Sequence, residues 1–526
     1  MQGEWTGEPV GPDVWTTCRQ LIPADSVFAF LAEHRQTLFP PAMFTDMYPS
    51  PNGRPSMPPQ VLATAVVLQT LCGLSDFEAV QELRCDLRWK AACGLGLYDT
   101  AFDPSLLTYF RRRLAHSVSP NRLFEAVREV VRATGILKGK QRRALDSTVL
   151  DDAVATQDTV TQLIAAIRRV IREVPGAEQV AAAQCTAHDY TNPGKPRIAW
   201  NDEAARAALV DALVVDALRL LGYLPEQPLG EQAANAVGLL ALVAGQDVEP
   251  AQDSDGRDGR WRIARGTGYD RMVSTVDPDA RHIHKNRTRH SEGFKGHLAV
   301  EPETGIYTEV ACTRGSGPEN HEAKVAEDLL AEETEELEVL GDTAYGTGEL
   351  RQVLEAAGHT VVIKPPPLRQ VVPGGFTIDD FAIDAAAGKV TCPAGHTVAL
   401  GRVDAYGARI AQFKKLCQGC ALRARCTTSA SGRNVHVHPQ HDLLAAARHQ
   451  AATDPDWKEE YRRWRPPVER GVAWLVAGGN RRLRYLGVFK NDAWLHTRAA
   501  ALNLRRLINL GLTREAGTWA LAPVSA

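Results

Sequence analysis

Between residues 144 and 363 the chain alternates extended and helical segments in an order that few folds accommodate. Ala144-Leu145-Asp146-Ser147-Thr148-Val149-Leu150 alternates in polarity as a strand does. Residues 293–300 and 305–312 read as two more strands around Glu301-Pro302-Glu303-Thr304, a hairpin signal. Then come a helix at 321–332, a strand at 337–340 that ends on Gly341-Asp342, a helix at 349–357 and a strand at 360–363. Strand, hairpin, helix, strand, helix, strand predicts an α/β unit: a mixed sheet flanked by helices.

A helical block separates the first strand from the hairpin. Leu163, Ile164, Ile167, Val170, Ile171 and Val174 recur at helical spacing and stop at Pro175-Gly176. Leu209, Leu213, Leu220 and Leu221 line a second helix ending at Gly222, and a third covers 233–243. Residues 246–270 are polar and glycine-rich and read as a loop. At 526 residues the chain exceeds one compact core, so two to four units of ~100–200 residues are expected.

Residues 1–140 read as helical. Pro58 and Pro59 open a helix lined by Leu62, Val66 and Leu68, and Gly73 closes it. Ser75 and Glu78 have capping-box spacing ahead of Phe77, Val80 and Leu83. Asp103 caps a further helix, with Pro104 at its first position and Arg111, Arg112 and Arg113 on its polar side. Two short helices before an arginine-bearing one suit a helix-turn-helix-like DNA module, with those arginines as DNA contacts.

No apolar run approaches the ~20 residues a membrane helix needs. The opening residues lack the basic-then-apolar pattern of a secretory signal. A cytoplasmic protein is expected, with no membrane partner. Its ten cysteines are then thiols or metal ligands. Cys392-x3-His396 followed by Cys417-x2-Cys420-x5-Cys426 suits tetrahedral Zn²⁺. Cys392, Cys417, Cys420 and Cys426 would close a structural site, with His396 able to replace one of them. Alternating residues at 397–403 and 409–413 predict a small β ribbon between the two arms. Cys18, Cys72, Cys85, Cys93, Cys185 and Cys312 read as buried thiols.

Asp146 lies in the first strand and Asp342 leaves the fourth. Glu469 is a third acid, placed near the first turn of a helix that Pro466 and Pro467 can open. The three lie 196 and 127 residues apart, so only a fold could bring them together. Convergent carboxylates suit Mg²⁺ or Mn²⁺, two per site, in phosphoryl chemistry. Asp151 and Asp152 compete with Asp146. From Lys458 to Arg514 there are 13 Lys and Arg against 4 Asp and Glu, in a chain of formal net charge −3. Positive charge is thus gathered around Glu469, where a phosphate backbone would lie. Arg470, Arg481, Arg482 and Arg484 are candidate DNA contacts. The last three follow a Gly478-Gly479 turn that permits close backbone approach. Leucines at helical spacing over 499–510 predict a final helix packed on the core.

The stretches FLAEHR and RPSMPPQVLATAVVLQTLCGLSDFEAVQELRCDLRWKAACGL stand near the start, with ALDSTVLDDAVA, EGFKGHLAVEPETG and VLGDTAYGTGELR in the middle. CPAGHTV, CQGCALRARCT, PPVERGVAWLV and NRRLRYLGVFKNDAWLHTRAAALNLRRL follow. In these, over nearly its whole length, the chain resembles bacterial insertion-sequence transposases of the DDE class, most of all the family of insertion sequence eleven-eighty-two. The resemblance implies a ribonuclease H-like fold, with Asp146, Asp342 and Glu469 as the catalytic, metal-binding carboxylates. Related families often carry a Tyr, an Arg and a Lys around the glutamate. Tyr461 and Arg465 are the candidates here, one residue further apart than usual, and the usual lysine position is Val476.

The implied activity is binding of an element's terminal inverted repeats, cleavage there, and joining of 3′-hydroxyl ends to target DNA. The implied assembly is a dimer or larger on DNA, nucleoid-associated in a bacterial cytoplasm. The alternatives are a catalytically idle DNA-binding relative, or a nuclease of the same fold without strand transfer. The expected layout is a helical DNA-binding domain at 1–140 and a catalytic core at 141–369 with a helical insertion at 151–270. A zinc-binding insertion at 370–435 and the rest of the core at 436–526 complete it.

Overall fold

The computed structural model describes residues 1–4, 9–50, 52–250, 261–264, 268, 270–284, 290–405 and 407–522. Local chemistry starts and stops the N-terminal helices where the sequence places them. Helix α1 (Pro59–Cys72) ends on Gly73 at φ 72°. A Cβ there would also run into the carbonyl of Gly478, so the position needs glycine twice over. Helix α2 (Asp76–Cys85) opens with the capping box, Ser75 and Glu78 each accepting from the other's amide. Helix α3 (Ser105–Ala115) starts where Asp103 accepts from the Ser105 amide at 2.9 Å. Every residue of α1 from Pro59 to Thr70 is buried, as suits a helix apolar all round.

The central sheet contains β1 (Arg142–Asp151), β2 (Arg281–His284), β3 (His290–Glu301), β4 (Ile306–Arg314), β5 (Glu338–Gly341) and β6 (Thr360–Ile363). In space the strands run β4-β3-β1-β5-β6, and β2 pairs with the opening residues of β3. β1 is antiparallel to β3, with Asp146 opposite Leu298, and parallel to β5, with Ala144 beside Leu340. β6 is parallel to β5. The mixed sheet expected from the pattern is present. β2, with the sequence RHIH, has too few apolar positions for an alternation to register.

Side chains alternate across β1. Ala144 and Leu150 join one core, and Leu145 joins another, on the opposite face, with Ala323 and Leu329 of α4 (Glu322–Leu329) and with Leu350 and Leu354. The first core is continuous from Val27 and Val131 in the N-terminal helices, through Val300 in β3, to Leu502 and Leu507. Helices expected as a separate block at 1–140 therefore share a core with the sheet.

Two insertions hang from this frame. Between β1 and β2, helices Thr159–Glu173, Ala177–Gln184, Glu203–Tyr223 and Glu231–Gln246 bury Leu163, Ile167, Val210, Leu213 and Leu240 in a core of their own. The expected loop at 246–270 contains a short pairing of Val248–Pro250 with Trp261–Ile263. It forms because Trp261 packs on the helical core while its amide donates to Asp211 at 2.7 Å. Residues 251–260, 265–267 and 269 of that stretch lie outside the described residues. After β6, the strands Ala382–Asp384, Lys389–Thr391, Thr397–Val403, Arg409–Gln412 and Asn434–Val437 pair in sequence order. The expected ribbon is the middle of this sheet, and Phe381, Val390, Phe413 and Val437 fill its core.

Helix α5 (Pro455–Val476) is capped by Asp454 and runs through Pro466 and Pro467. The helix start expected at those prolines is corrected. Each proline lacks the N–H that would bond four residues back, yet Val468 and Leu475 bury their side of the helix and hold the flanking turns. Helix α6 (Val488–Asn509) begins earlier than 499, because Asp277 and Asp279 accept from the Gly487 and Val488 amides at 3.0 and 3.1 Å. Among the described residues no single helix is long and apolar enough to cross a membrane.

Candidate active site

The parallel register of β1 and β5 sets Arg142 beside Glu338 and Ala144 beside Leu340. That offset is the separation of Asp146 from Asp342, so continuing it by two residues makes the aspartates neighbours across strands ~4.8 Å apart. Asp146 is buried, and its Oδ1 accepts from the Ser147 amide at 2.8 Å. Its Oδ2 accepts from Arg465 Nη2 on α5 at 2.9 Å. The same nitrogen is 4.0 Å from Asp342 Oδ2. Asp342 Oδ1 accepts from the Ala344 amide at 2.9 Å, capping the turn Thr343–Tyr345.

Burial pushes the Asp146 carboxyl above the usual carboxylate range, Arg465 opposes this, and the Asp342 charge adds to it. Burial works against the Arg465 cation, but the two aspartates outweigh it and hold the guanidinium charged. Glu469 is exposed and lies one turn beyond Arg465, ~6 Å along the same helix. The fold thus brings Asp146 and Asp342 together on Arg465, while Glu469 stands exposed one turn further along the same helix.

The opposite face of the sheet supports this arrangement with residues that sequence reasoning missed. Ser147 Oγ donates to Glu322 Oε1 at 3.2 Å, and Lys295 Nζ pairs with that oxygen at 2.9 Å. Tyr345 is fully buried and its hydroxyl has no hydrogen-bond partner among the described residues. Burial first, then the charges of Asp146, Glu322 and Asp342, push its phenol far above its ordinary value. Only the β1–β3 register, with Val149 opposite Lys295, could have revealed this cluster.

The competing acids lie elsewhere. Asp151 is exposed, and its backbone pairs with the Arg481 carbonyl at 2.9 Å and the Leu483 amide at 2.8 Å. Asp152 is buried, which pushes it up to about 6. Both line an open cavity of about 440 Å³ with His282, Glu292 and Arg482, beyond the end of β1.

Of the candidate DNA contacts, Arg112, Arg113, Arg470, Arg481, Arg482 and Arg484 are exposed. Several of the arginines also make contacts within the chain. Arg111 pairs with Asp76 at 2.5 Å and lies over the Tyr485 ring, and Arg113 donates to the Met47 carbonyl at 3.1 Å. Arg481 donates to the Val149 carbonyl at 2.8 Å and Arg484 to the Gly73 carbonyl at 2.6 Å. Tyr461 is half-buried beside Arg465. The Gly478 carbonyl packs against Gly73, an approach that the missing Cβ of Gly73 permits.

Cys392, His396, Cys417, Cys420 and Cys426 line one enclosed cavity of about 20 Å³, room for a single ion. Cys417 Sγ accepts from the Arg433 amide at 3.4 Å. Burial pushes the Cys426 thiol up, and the neighbouring Cys417, Cys392 and Cys420 add to this. The soft donors fit Zn²⁺ in kind, as the hard oxygens of Asp146, Asp342 and Glu469 fit Mg²⁺ or Mn²⁺ in kind. Among the described residues, no three His, Cys, Asp or Glu side chains stand in metal-holding geometry. Of the other cysteines, Cys93 and Cys312 are buried, but Cys72 and Cys85 are exposed at the last positions of α1 and α2.

Two family models match the chain. Residues 391–508 match a transposase DDE domain, and residues 17–113 match the transposase domain DUF772. The first match contains Glu469 and the cysteine cluster, and the second contains α1, α2 and Arg111 to Arg113. Both support a transposase. Neither a curated protein nor a solved structure matches the chain.

Proposed function

We propose that this chain is a DDE transposase with a ribonuclease H-like core, of the kind its resemblance to the insertion sequence eleven-eighty-two family implies. It binds the terminal inverted repeats of its element, cuts there, and joins the freed 3′-hydroxyl ends to target DNA. The observation that carries this reading is the convergence of Asp146 and Asp342 on Arg465, with Glu469 one turn further along α5. The sheet order β4-β3-β1-β5-β6 supports the fold assignment.

Asp146, Asp342 and Glu469 would hold two Mg²⁺ or Mn²⁺ ions. When bound, these ions activate the attacking oxygen and stabilise the leaving one. Arg465 favours the charged form of Asp146 against its burial and aims it. Arg111 to Arg113 and the basic residues Arg470, Arg481, Arg482 and Arg484, with Tyr461, steer and hold the duplex. Two element ends must be joined together, so the working form is a dimer or larger assembly on DNA, in the bacterial cytoplasm. A structural Zn²⁺ held by Cys392, Cys417, Cys420 and Cys426, with His396 as the alternative ligand, ties the five-stranded sheet together.

The test incubates the protein with a labelled element end, a plasmid and Mg²⁺. Joined product is the expected result. Cut but unjoined DNA would assign a nuclease, and a mobility shift alone a DNA-binding relative. Asp146→Asn, Asp342→Asn and Glu469→Gln should abolish cleavage and keep binding, whereas Asp151→Asn should stay active. Substantial cleavage by Asp342→Asn would overturn the assignment of the carboxylates.

A further inference from the structure

Asp146 and Ser147 are consecutive in β1, so their side chains leave opposite faces of the sheet. Asp146 turns to Arg465 on α5, and Ser147 turns to α4. The peptide that joins them serves both faces, because its N–H donates to Asp146 Oδ1 at 2.8 Å. On the far face the Ser147 hydroxyl donates to Glu322 Oε1 at 3.2 Å, and Lys295 Nζ reaches the same oxygen at 2.9 Å. The Glu322 and Lys295 side chains are largely buried, at 12% and 17% exposed. Register puts Lys295 there: His297 stands opposite Ser147 and Lys295 opposite Val149, so both share the face of Ser147. His297 is taken up by Thr313, whose Oγ1 lies 3.0 Å from its Nε2. Glu322 opens α4, and its place is fixed from two sides. His321 Nδ1 accepts from the Ala323 amide at 3.2 Å, and Ala323 and Leu329 pack in one core with Leu145.

A buried ion pair loses hydration and is weak evidence of a stabilising role. What Glu322 does have is a hold on Ser147. A serine hydroxyl left alone samples several staggered positions, and a charge-assisted hydrogen bond to a fixed carboxylate selects one. Given the transposase reading above, on which this rests, we infer that Glu322 is a positioning residue: through Ser147 it fixes the 146–147 peptide, whose N–H sets where Asp146 Oδ1 points. Arg465 holds the other oxygen, so the carboxylate is gripped from both faces of the sheet. Lys295 balances the Glu322 charge, so the grip adds no net negative charge behind Asp146 and Asp342. Carboxylates that bind metal depend on such partners for their aim.

The test reads Mn²⁺ binding by electron paramagnetic resonance, in the full chain on a pre-cleaved element end without target DNA. Single-turnover cleavage of an intact end in Mg²⁺ is read alongside. Ser147→Ala and Glu322→Ala should each weaken Mn²⁺ binding by roughly 10-fold or more and slow cleavage. The double variant should be no worse than either single one, because both break the same link. Glu322→Gln combined with Lys295→Met keeps an acceptor for Ser147 and leaves no unpaired cation, so it should recover most of both losses. Should Glu322→Ala fail to fold, Ser147→Ala and that combined variant decide the matter. Unchanged Mn²⁺ binding in Ser147→Ala, or losses that multiply in the double variant, would overturn the inference and leave the transposase reading standing. So would a combined variant as inactive as Asp146→Asn, which would make Glu322 a ligand. Failure of the wild-type chain to bind the element end would instead overturn the transposase reading, and this inference with it.

Discussion

Arg465 shows how one side chain holds two like charges together. Asp146 and Arg465 are both nearly buried, with side chains 11% and 13% exposed. Removing the cation strands a carboxylate in low dielectric, so Arg465→Gln should destabilise the chain by roughly 3 kcal/mol. Adding Asp146→Asn should return most of that loss, because no uncompensated charge remains. Additive losses in denaturant unfolding of the two single variants and the double variant would argue against the pairing. His496 is a second buried charge. Burial opposes its proton, but Asp492 and Glu309, each 3.3 Å away, prevail and push it up to about 10. Its folded value exceeds its ordinary one of 6.5. Its stabilisation is therefore complete below about pH 6.5 and lost as pH rises through 10. The Tm of the wild type should fall more steeply over that interval than that of His496→Gln, and parallel profiles would count against it.

At the scale of elements, buried cations do what helix propensity cannot. Arg498 on α6 is almost wholly buried. Its guanidinium donates to Thr70 and Leu71 at the end of α1 and to Trp474, Leu475 and Ala477 at the end of α5. One cation thereby caps two helices and fixes the one that carries Glu469. Arg498→Met should orphan these carbonyls and cost about 3 kcal/mol or more by chemical unfolding. Arg498→Lys should recover little, since an ammonium cannot span the same fork. In the five-stranded sheet, chelator-washed protein should hold about one zinc per chain. Cys417→Ser with Cys420→Ser should release it and loosen residues 376–437 in hydrogen exchange. Full zinc retention by that double variant would rule out the assignment.

At the scale of the molecule, the N-terminal helices and the sheet share one core, and α1 is buried along nearly its whole length. A chain starting at residue 141 should expose the face of α6 that α1 covers, and should aggregate. Soluble, cooperatively folding 141–526 would show the two to be separable. The sequence by itself determined whatever depends on near neighbours. The capping box at Ser75, the glycine stop at 73, the alternation in β1 and the C-x2-C spacing each involve residues within one or two turns, whose energies the rest of the chain changes little. Tertiary structure alone decided the rest. The β1–β5 register depends on matching apolar faces across strands nearly two hundred residues apart. The passage of α5 through two prolines depends on burial of its apolar side, which outweighs the lost hydrogen bonds. The partners of Arg111, Arg484 and Arg498 depend on which carbonyls and carboxylates packing leaves within reach, and no spacing in the sequence encodes that.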